Sequence, residues 1–550
     1  MEMEPGRRSA QLRLAASWID YCINNHGALC RVDLRAPIPT RLIDVQAQRS
    51  GDICLIETAK QPPVDRRYIA LSHCWGGLPK LDEIKTRRRT LKGYMRKIEA
   101  SILPRTFQDA IDITRHLGLR YLWIDSFCII QDDDSDWEKE ASLMDIVYAN
   151  AYCTIAATAS SDGNGGCFVP RSSTPIQEEF EAPLQRTDIP AGFAPPAPSV
   201  RKKLVESGPL GERGWCFQER QLSPRVLHFT SYMLVWECRT CMATEDRPET
   251  GLQPVDNFRE ADVNKAYDLG VGMNALRIFD PASTESTKSR EPQGNIYDRW
   301  LDAVENYSAR DLTSPSDRFP ALSGLAKAFA GKTHDTYLAG IWRGDFHRGL
   351  LWHRSYMGSA PARTLKWSRP SEYRAPSWSW ASLEGPVNAV QLLRSEGLPH
   401  MQNLSNLSQL RFLDATITPT NPRYPYGTLS AATLRVSGRV KRAISFLPWK
   451  RNHFHELIDY EDAVNRGPVN YNRIGRICFD IPGDAVPQVV YCLNVVDYGL
   501  VRGPDPLALN NGLALVVENA AERKFRRVGV VEWNDENWFT GVQLTTLSIV

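Results

Sequence analysis

The sequence has no apolar run long enough to cross a lipid bilayer, for which about 20 residues are needed. It also has no excess of one charge, because 66 basic residues nearly balance 64 acidic ones. That balance argues against an overall electrostatic attraction to nucleic acid or to an anionic membrane. The N-terminal segment MEMEPGRRSAQLRL carries acids and lacks the apolar core of a secretory signal. We therefore expect a soluble, cytoplasmic protein with no nucleic-acid partner and no membrane span.

Cysteine is too sparse for a disulfide scaffold, at 12 residues in 550. In a reducing compartment most of these should be buried thiols. Cys22, His26 and Cys30 share one face of a predicted helix, and Cys238 and Cys241 form a lone C-x-x-C. These are zinc-like ligand types, but nothing in the sequence shows that the two groups meet. Core packing is the favoured interpretation, and the sequence assigns no metal and no certain cofactor.

Several nucleotide-binding and hydrolase signatures are also absent. No Walker loop and no G-x-G-x-x-G follows a predicted strand, so the familiar phosphate-binding loops are not supported. No G-x-S-x-G elbow surrounds Ser72 and His73. Adjacent residues of a strand point to opposite faces, so these two side chains are poorly placed to form a nucleophile and base pair.

The length of 550 residues predicts two to four domains at about 150 residues each. Four segments follow from the composition and periodicity. Residues 1–39 form a helical segment, 40–240 an α/β domain, 241–370 a mixed and largely helical region, and 371–550 a β-rich region.

The α/β assignment depends on two apolar runs. RYIALSHCWGG (67–77) reads as a buried strand that ends in polar residues, and RYLWIDSFCII (120–130) reads as a strand covered on both faces. A helical pattern from Thr106 to Gly118 lies between them. Strand, connection, helix and strand in this order predict a parallel sheet.

Polar clusters follow both predicted strands, at Ser72–Gly77 and at Gln131–Asp134. Because ligands bind outside the carboxyl ends of parallel strands, we expect the two clusters to form one site. Asp125 lies within the second apolar run, and a buried carboxylate needs a partner, for which Arg213 and Arg220 are candidates.

Glu140 is the candidate acid of this site. Ser135 and Glu138 form a capping-box pattern that predicts a helix from about residue 135. On that helix Trp137 and Met144 flank Glu140 at i−3 and i+4, so the carboxylate should be partly desolvated. The alternative is a structural glutamate that pairs with an arginine or caps backbone amides.

Three sequence blocks carry a family resemblance. YIALSHCWGG, LPRTFQDAIDITRHLGLRYLWIDSFCIIQDD and RGWCFQERQLSPRVLHFT resemble, in order and wording, the fungal heterokaryon-incompatibility (HET) domain, over roughly residues 68–220. YRAPSWSWAS (373–382) resembles part of the C-terminal region common in these proteins. The resemblance implies a role in fungal non-self recognition and programmed cell death, with other incompatibility or death-signalling proteins, or further copies of the chain, as partners.

A more distant resemblance concerns mechanism. The HET domain is similar to Toll/interleukin-receptor (TIR) domains, which implies a TIR/flavodoxin-like parallel-sheet fold. DWEKE resembles the TIR segment in which a Trp precedes the Glu that cleaves the nicotinamide–ribose bond of NAD, although Glu140 follows Trp137 by three residues where four is common. This resemblance implies NAD as substrate and Glu140 as the catalytic residue. The residues expected to bind substrate are Ser72, His73, Trp75, Gly76, Asp125, Gln131 and Trp137, with Arg213 and Arg220 as supports.

Two other functions stay open at this point. The chain could be a signalling or scaffold protein without chemistry, in which the aromatic motifs only build the fold. It could also be an enzyme of a secondary-metabolite pathway that acts on a small molecule.

Overall fold

The structure is a computed structural model. It describes residues 5–27, 29–47, 52–76, 83–172, 203–248, 296–355, 367–389, 408–448, 455–466, 473–481, 487–496, 510–533, 535 and 537–550. The chain forms two compact units, one of residues 1–292 with 321–332 and one of residues 293–320 with 333–550. The N-terminal helix lies in the first unit, and the four predicted segments stay a prediction.

The first unit is built on one mixed sheet. Its helices are α1 (Pro5–Asn25), α2 (Leu91–Tyr94), α3 (Arg105–His116), α4 (Asp125–Cys128), α5 (Asp134–Ala141), α6 (Met144–Ala149) and α7 (Gly214–Leu222). Its strands are β1 (Arg41–Ala47), β2 (Asp52–Glu57), β3 (Tyr68–Ser72), β4 (Tyr121–Trp123), β5 (Cys153–Ala156), β6 (Arg225–Phe229), β7 (Leu234–Cys238) and β8 (Met242–Thr244).

The centre of this sheet is parallel, as the sequence predicts. The strand order is β2-β1-β4-β3-β5-β6-β7-β8. Strands β4, β3, β5 and β6 pair in parallel, and the strands on either side are antiparallel. The mixed α/β architecture is therefore confirmed, and strands β1 and β2 at one side of the sheet pair antiparallel.

The predicted strand over 120–130 is wrong in extent. Strand β4 ends at Trp123, and Asp125 begins the short helix α4. Phe127 and Cys128 stay buried on that helical turn, so the apolar run continues after the strand has ended. A short apolar run cannot by itself distinguish a strand from a buried helical turn.

The start of helix α5 also differs from its prediction. The Asp133 side chain accepts a hydrogen bond from the Asp136 amide and caps the helix, in place of the predicted Ser135 cap. Asp132 and Asp133 precede the helix, Asp134 is its first residue, and an aspartate is as good an N-cap as a serine.

The second unit contains a closed antiparallel sheet. Its helices are α8 (Ile296–Ser308), the ends of α9 (Pro320–Thr333, whose residues 321–332 belong to the first unit), α10 (Phe346–Gly349) and α11 (Tyr460–Arg466). Its strands are β9 (Tyr337–Leu338), β10 (Ile341–Trp342), β11 (His353–Arg354), β12 (Val387–Asn388), β13 (Arg411–Pro419), β14 (Leu429–Pro448), β15 (His455–Asp459), β16 (Arg473–Phe479), β17 (Val489–Val496), β18 (Asn510–Asn519), β19 (Lys524–Trp533) and β20 (Leu544–Ile549).

Strands β14, β15, β16, β19, β18 and β17 pair in that order, and β17 pairs again with the long strand β14. The closed sheet encloses an apolar core that includes Phe479, Leu457 and Trp533. The β-rich C-terminal region is therefore confirmed. Within the described part of the chain, no helix combines the length and the apolar character needed to span a membrane.

Three tryptophans of the second unit, Trp300, Trp352 and Trp380, donate their indole N–H groups to backbone carbonyl oxygens of its core. Trp300 and Trp380 both donate to the carbonyl oxygen of Gly340, at 3.0 and 2.9 Å. Trp352 donates to the carbonyl oxygen of Trp378 at 2.9 Å. Gly340 has a φ of +99°, and a Cβ there would lie 2.6 Å from the Trp380 indole nitrogen, so only glycine suits this position. The YRAPSWSWAS segment therefore builds core structure.

Candidate functional site

The site begins at the carboxyl end of strand β3. The Ser72 hydroxyl donates a hydrogen bond of 2.5 Å to Oε2 of Glu219, which lies on helix α7. The two side chains are almost fully buried, since Ser72 is 4% exposed and Glu219 5%. This contact joins residues that are 147 positions apart in the sequence.

Glu219 is a buried acid that titrates near neutrality. Burial raises the pKa of Glu219 to about 7, against the ordinary value of 4.5. The neighbouring Asp125 charge also raises this pKa, whereas Ser72, Arg213 and the Tyr148 hydroxyl lower it. A carboxyl group with such a pKa can both hold and accept a proton at neutral pH, as acid–base catalysis requires.

Asp125 joins the same edge through the indole of Trp75. Trp75 Nε1 donates to Asp125 Oδ2 at 2.7 Å, and the Ser126 amide donates to Oδ1 at 2.6 Å. The predicted ion pair of Asp125 with Arg213 or Arg220 does not form. Asp125 is the first residue of a helical turn, and its carboxylate is held by the Ser126 amide and the Trp75 indole.

His73 faces the opposite side of strand β3 from Ser72. Its ring packs edge-on against Phe107 of helix α3, with the ring centroids 5.0 Å apart. Its Nε2 atom lies 3.9 Å from Asp125 Oδ1, which is too long for a hydrogen bond. Burial lowers the pKa of His73 to about 4, so the imidazole is neutral at physiological pH. Ser72 and His73 therefore have different neighbours, Glu219 and Phe107.

The two predicted supporting arginines have different roles. Arg213 Nη1 donates to the carbonyl oxygen of His73 at 2.8 Å and so holds the turn after strand β3. Arg220 makes a two-pronged ion pair with Glu237 of strand β7, at 2.7 and 2.9 Å. Arg213 therefore belongs to the site, whereas Arg220 fixes helix α7 to the sheet.

Gly76 permits the turn that follows Trp75. Its φ is +65°, and a Cβ at this position would lie 2.4 Å from Cβ of Asp162. Beside it, the Lys85 ammonium lies 4.2 Å from the centroid of the Trp75 ring. A cation thus lies against the partly exposed aromatic ring at the rim of the site.

The remaining predicted residues lie on or before helix α5. Gln131 Nε2 donates to the carbonyl oxygen of Asp125 at 3.2 Å, and the Asp125 carboxylate in turn accepts from Trp75 of the first polar cluster. Trp137 packs edge-on against Trp215, with ring centroids 6.3 Å apart. Glu140 is 1% exposed, and neither of its oxygens makes a hydrogen bond within the described residues. Its ion pair is with Lys139, at 3.3 Å, so its catalytic role stays a prediction.

Glu219 and Tyr148 are the site residues that sequence reasoning missed. Tyr148 donates its hydroxyl to the carbonyl oxygen of Leu71 at 3.1 Å and is fully buried. On helix α7, Cys216 lies three residues before Glu219 and Leu222 three residues after it, so all three residues share one face of the helix. The same spacing argument that drew attention to Glu140 would therefore have found Glu219.

A comparison with protein families decides which kind of domain carries this site. Residues 68–219 match the family model described as Heterokaryon incompatibility protein (HET). Residues 68–219 are a HET domain. The matched segment is about a quarter of the chain and runs from the first residue of strand β3 to Glu219. Comparisons with curated proteins and with solved structures give no significant match.

The HET domain therefore contains Ser72, Asp125 and Glu219 within its own limits. Its three sequence blocks supply one residue each to the edge of the sheet. In this chain, these contacts join the beginning, the middle and the end of the matched segment.

Proposed function

We propose that this chain is an effector of heterokaryon incompatibility, acting in fungal non-self recognition and programmed cell death. The family match over residues 68–219 supports the proposal, since the match includes the whole edge cluster. The effector acts in the cytoplasm with other incompatibility or death-signalling proteins or with further copies of itself. Its activity needs a trigger, because a constitutive toxin would kill its own cell.

We further propose that the HET domain is TIR/flavodoxin-like and cleaves NAD to nicotinamide and ADP-ribose. The observation that carries this proposal is the hydrogen bond from Ser72 to Glu219, an acid whose pKa lies at about 7. In the reaction the C–N bond between ribose and nicotinamide breaks, and its electron pair leaves with nicotinamide. A water oxygen bonds to the ribose carbon, and its proton passes to a carboxylate and then to solvent.

Two features of the site suit such a substrate. Ionised Glu219 would stabilise the positive charge that develops on the ribose and accept the proton from water. Lys85 and the Trp75 ring at the rim offer a cation for phosphate and an aromatic face for a base. Glu140, the residue that the TIR resemblance suggests, is the alternative carboxylate.

A non-catalytic scaffold is the second candidate function. The observation that favours it is the burial of Ser72, His73 and Glu219, which are 4%, 3% and 5% exposed. Such burial suits a network that holds strand β3 against helix α7 and never meets a substrate.

The test measures nicotinamide released from NAD by the purified full chain. We expect the wild-type chain to release nicotinamide, and Glu219→Gln to lower the rate at least about 100-fold, because acid–base groups contribute factors of this size. Glu138→Gln, at an exposed position of helix α5, is the control and should retain the wild-type rate. Circular dichroism of each variant checks that it is folded.

The other outcomes assign the function differently. Loss of activity in Glu140→Gln but not in Glu219→Gln would move the catalytic role to helix α5. Absence of nicotinamide release by concentrated or crowded wild-type chain would exclude NAD cleavage. If expression of that inactive chain in hyphae still causes cell death, the scaffold function is supported. If it causes none, the effector proposal fails.

A further inference from the structure

The structure brings together cysteine and histidine side chains that the sequence left separate. One ligand atom each from Cys22, His26, Cys30 and Cys238 lies within 4.8 Å of every other. All four residues are buried, His26 being the most exposed of them at 5%. Nδ1 of His26 lies 3.3 Å from Sγ of Cys238, across 212 residues of sequence. Three sulfurs and one imidazole are a ligand set that zinc takes in structural sites.

The backbone between Cys22 and Cys30 brings the side chains of Cys22, His26 and Cys30 close together. Cys22 lies in the last turn of helix α1, and the His26 amide donates to the Cys22 carbonyl oxygen at 3.0 Å, which continues the turn. Gly27, with a φ of +44°, then ends the helix and lets the chain turn back towards Cys30. The prediction that Cys22, His26 and Cys30 share one helical face is therefore wrong, because the helix ends at Asn25 and only Cys22 lies on it.

Cys238 supplies the fourth ligand from the end of strand β7. The amides of Thr240 and Cys241 both donate to its sulfur, each at 3.4 Å. Amide donors stabilise a thiolate over a thiol, and the thiolate is the form that binds metal. The loop after strand β7 therefore favours a charged sulfur at this position.

A buried arginine also faces the cluster. Nε of Arg225 donates to Sγ of Cys22 at 3.3 Å, and its Nη2 donates to the Cys30 carbonyl oxygen at 2.7 Å. Arg225 is 3% exposed, and a buried guanidinium needs negative charge nearby. Three thiolates and one Zn²⁺ carry a net charge of −1, which Arg225 balances.

We propose that Cys22, His26, Cys30 and Cys238 bind one Zn²⁺ ion as a structural site. Zinc bonds of about 2.0–2.3 Å place tetrahedral ligands less than ~4 Å apart, so only small shifts are needed from the present positions. Four protein ligands leave no open position for water or substrate, which makes the site structural. The ion would fasten the end of helix α1 to strand β7, which lies next to strand β6 of the main sheet.

Buried thiols or a disulfide are the alternatives. The sulfur of Cys241 lies 3.5 Å from that of Cys238 and is a fourth thiol beside the three cysteine ligands. A disulfide between two of these sulfurs would remove ligands from the metal. The number of reduced cysteines therefore distinguishes a disulfide from a zinc site, because zinc binding predicts that all 12 cysteines are reduced.

The test measures zinc in the full chain purified in a reducing buffer with zinc chloride. We expect one zinc per chain by mass spectrometry of the metal, and loss of that zinc in Cys22→Ser and in Cys238→Ser. Cys167→Ser is the matched control, because Cys167 is buried in the same unit but lies outside the cluster. It should retain the zinc.

A second measurement needs no variant and so does not depend on variant folding. A chelator is added to the wild-type chain, and the alkylation of each cysteine is followed by peptide mass spectrometry. We expect Cys22, Cys30 and Cys238 to gain reactivity on chelation, while Cys167 stays protected. The proposal is overturned if the reduced chain takes up no zinc, if the ligand variants keep it, or if chelation leaves the reactivity of these cysteines unchanged.

Discussion

Replacing Glu237 by glutamine is expected to lower the free energy of unfolding by about 3–5 kcal/mol. Glu237 is 1% exposed and accepts hydrogen bonds from Arg220 at 2.7 and 2.9 Å. Its Oε2 also lies 2.9 Å from Nε2 of His228. The substitution leaves the buried Arg220 guanidinium without its main partner, and an uncompensated buried charge is costly. Denaturant unfolding of wild type and variant at pH 7 measures the difference.

The pH dependence of the stability that Glu237 contributes gives a second readout. Burial alone would raise the pKa of Glu237, but Arg220 and His228 outweigh it and lower this pKa to about 2, from 4.5. A lowered folded-state pKa contributes stability above pH 4.5 that is lost as the pH falls towards 2. The difference between wild type and Glu237→Gln should therefore shrink by roughly 3 kcal/mol over that range.

Glu99→Gln is the control, since Glu99 is exposed and pairs with the exposed Lys97 at 3.1 Å. It should show no comparable loss. A Glu237→Gln chain as stable as wild type would mean that Arg220 finds other compensation in the folded state.

Replacing Arg527 by methionine is expected to destabilise the second unit by about 3–5 kcal/mol. Arg527 is 0% exposed and donates to the carbonyl oxygens of Leu350, at 2.5 Å, and Trp352. It also donates to Oδ1 of Asp480 at 3.1 Å, and its guanidinium lies 3.5 Å from the centre of the Trp352 ring. Methionine fills similar volume but leaves Asp480 and both carbonyl groups short of a donor.

The neighbouring position supplies a matched control. Arg526 lies on the same strand, but its side chain is 42% exposed and pairs with Glu518 at the surface. Arg526→Met should change the free energy of unfolding by no more than about 1 kcal/mol. Arg527→Lys should behave like Arg527→Met, because one ammonium group cannot match the planar guanidinium and its several acceptors. Thermal and denaturant unfolding compare the variants, and equal stability of Arg526→Met and Arg527→Met would refute the structural role of Arg527.

The parallel sheet could be predicted from the sequence because its signals are local. An apolar strand of five residues at Tyr68–Ser72 and a helix with one apolar face at Arg105–His116 each show their own periodicity. The edge position of Ser72 and Asp125 follows from that pattern, because parallel strands share a carboxyl edge. The exact end of strand β4 did not follow, because the same apolar residues also suit the buried turn of helix α4.

The partners across the fold could not be predicted, because no local pattern specifies them. Glu219 bonds Ser72 from 147 residues away, and Cys238 meets His26 from 212 residues away. Arg213 and Arg220 are seven residues apart, yet they contact different partners. Arg213, just before helix α7, bonds the turn after strand β3, whereas Arg220, on helix α7, bonds Glu237 of strand β7. The sequence predicts that each of these arginines has an acceptor as partner, but only the tertiary fold determines which acceptor each arginine meets.

The central claim is that the HET domain keeps a buried acid, Glu219, at the carboxyl edge of its sheet at a cost in stability. Desolvation raises its pKa to about 7, so its ionisation opposes folding as the pH rises from 4.5 through 7. Functional sites commonly carry such a cost, because a group needed for chemistry is retained where a neutral one would be more stable. Glutamine has a similar shape and stays neutral at every pH.

The free energy of unfolding of wild type and of Glu219→Gln, measured side by side from pH 4.5 to pH 8, tests this claim most directly. Near pH 4.5 the two chains should be almost equally stable, whereas at pH 8 the glutamine chain should be more stable by roughly 3 kcal/mol. Comparison of the two chains cancels the titration of groups that lie far from Glu219. A glutamine chain that is less stable at pH 8, or a difference that does not change with pH, would contradict the account.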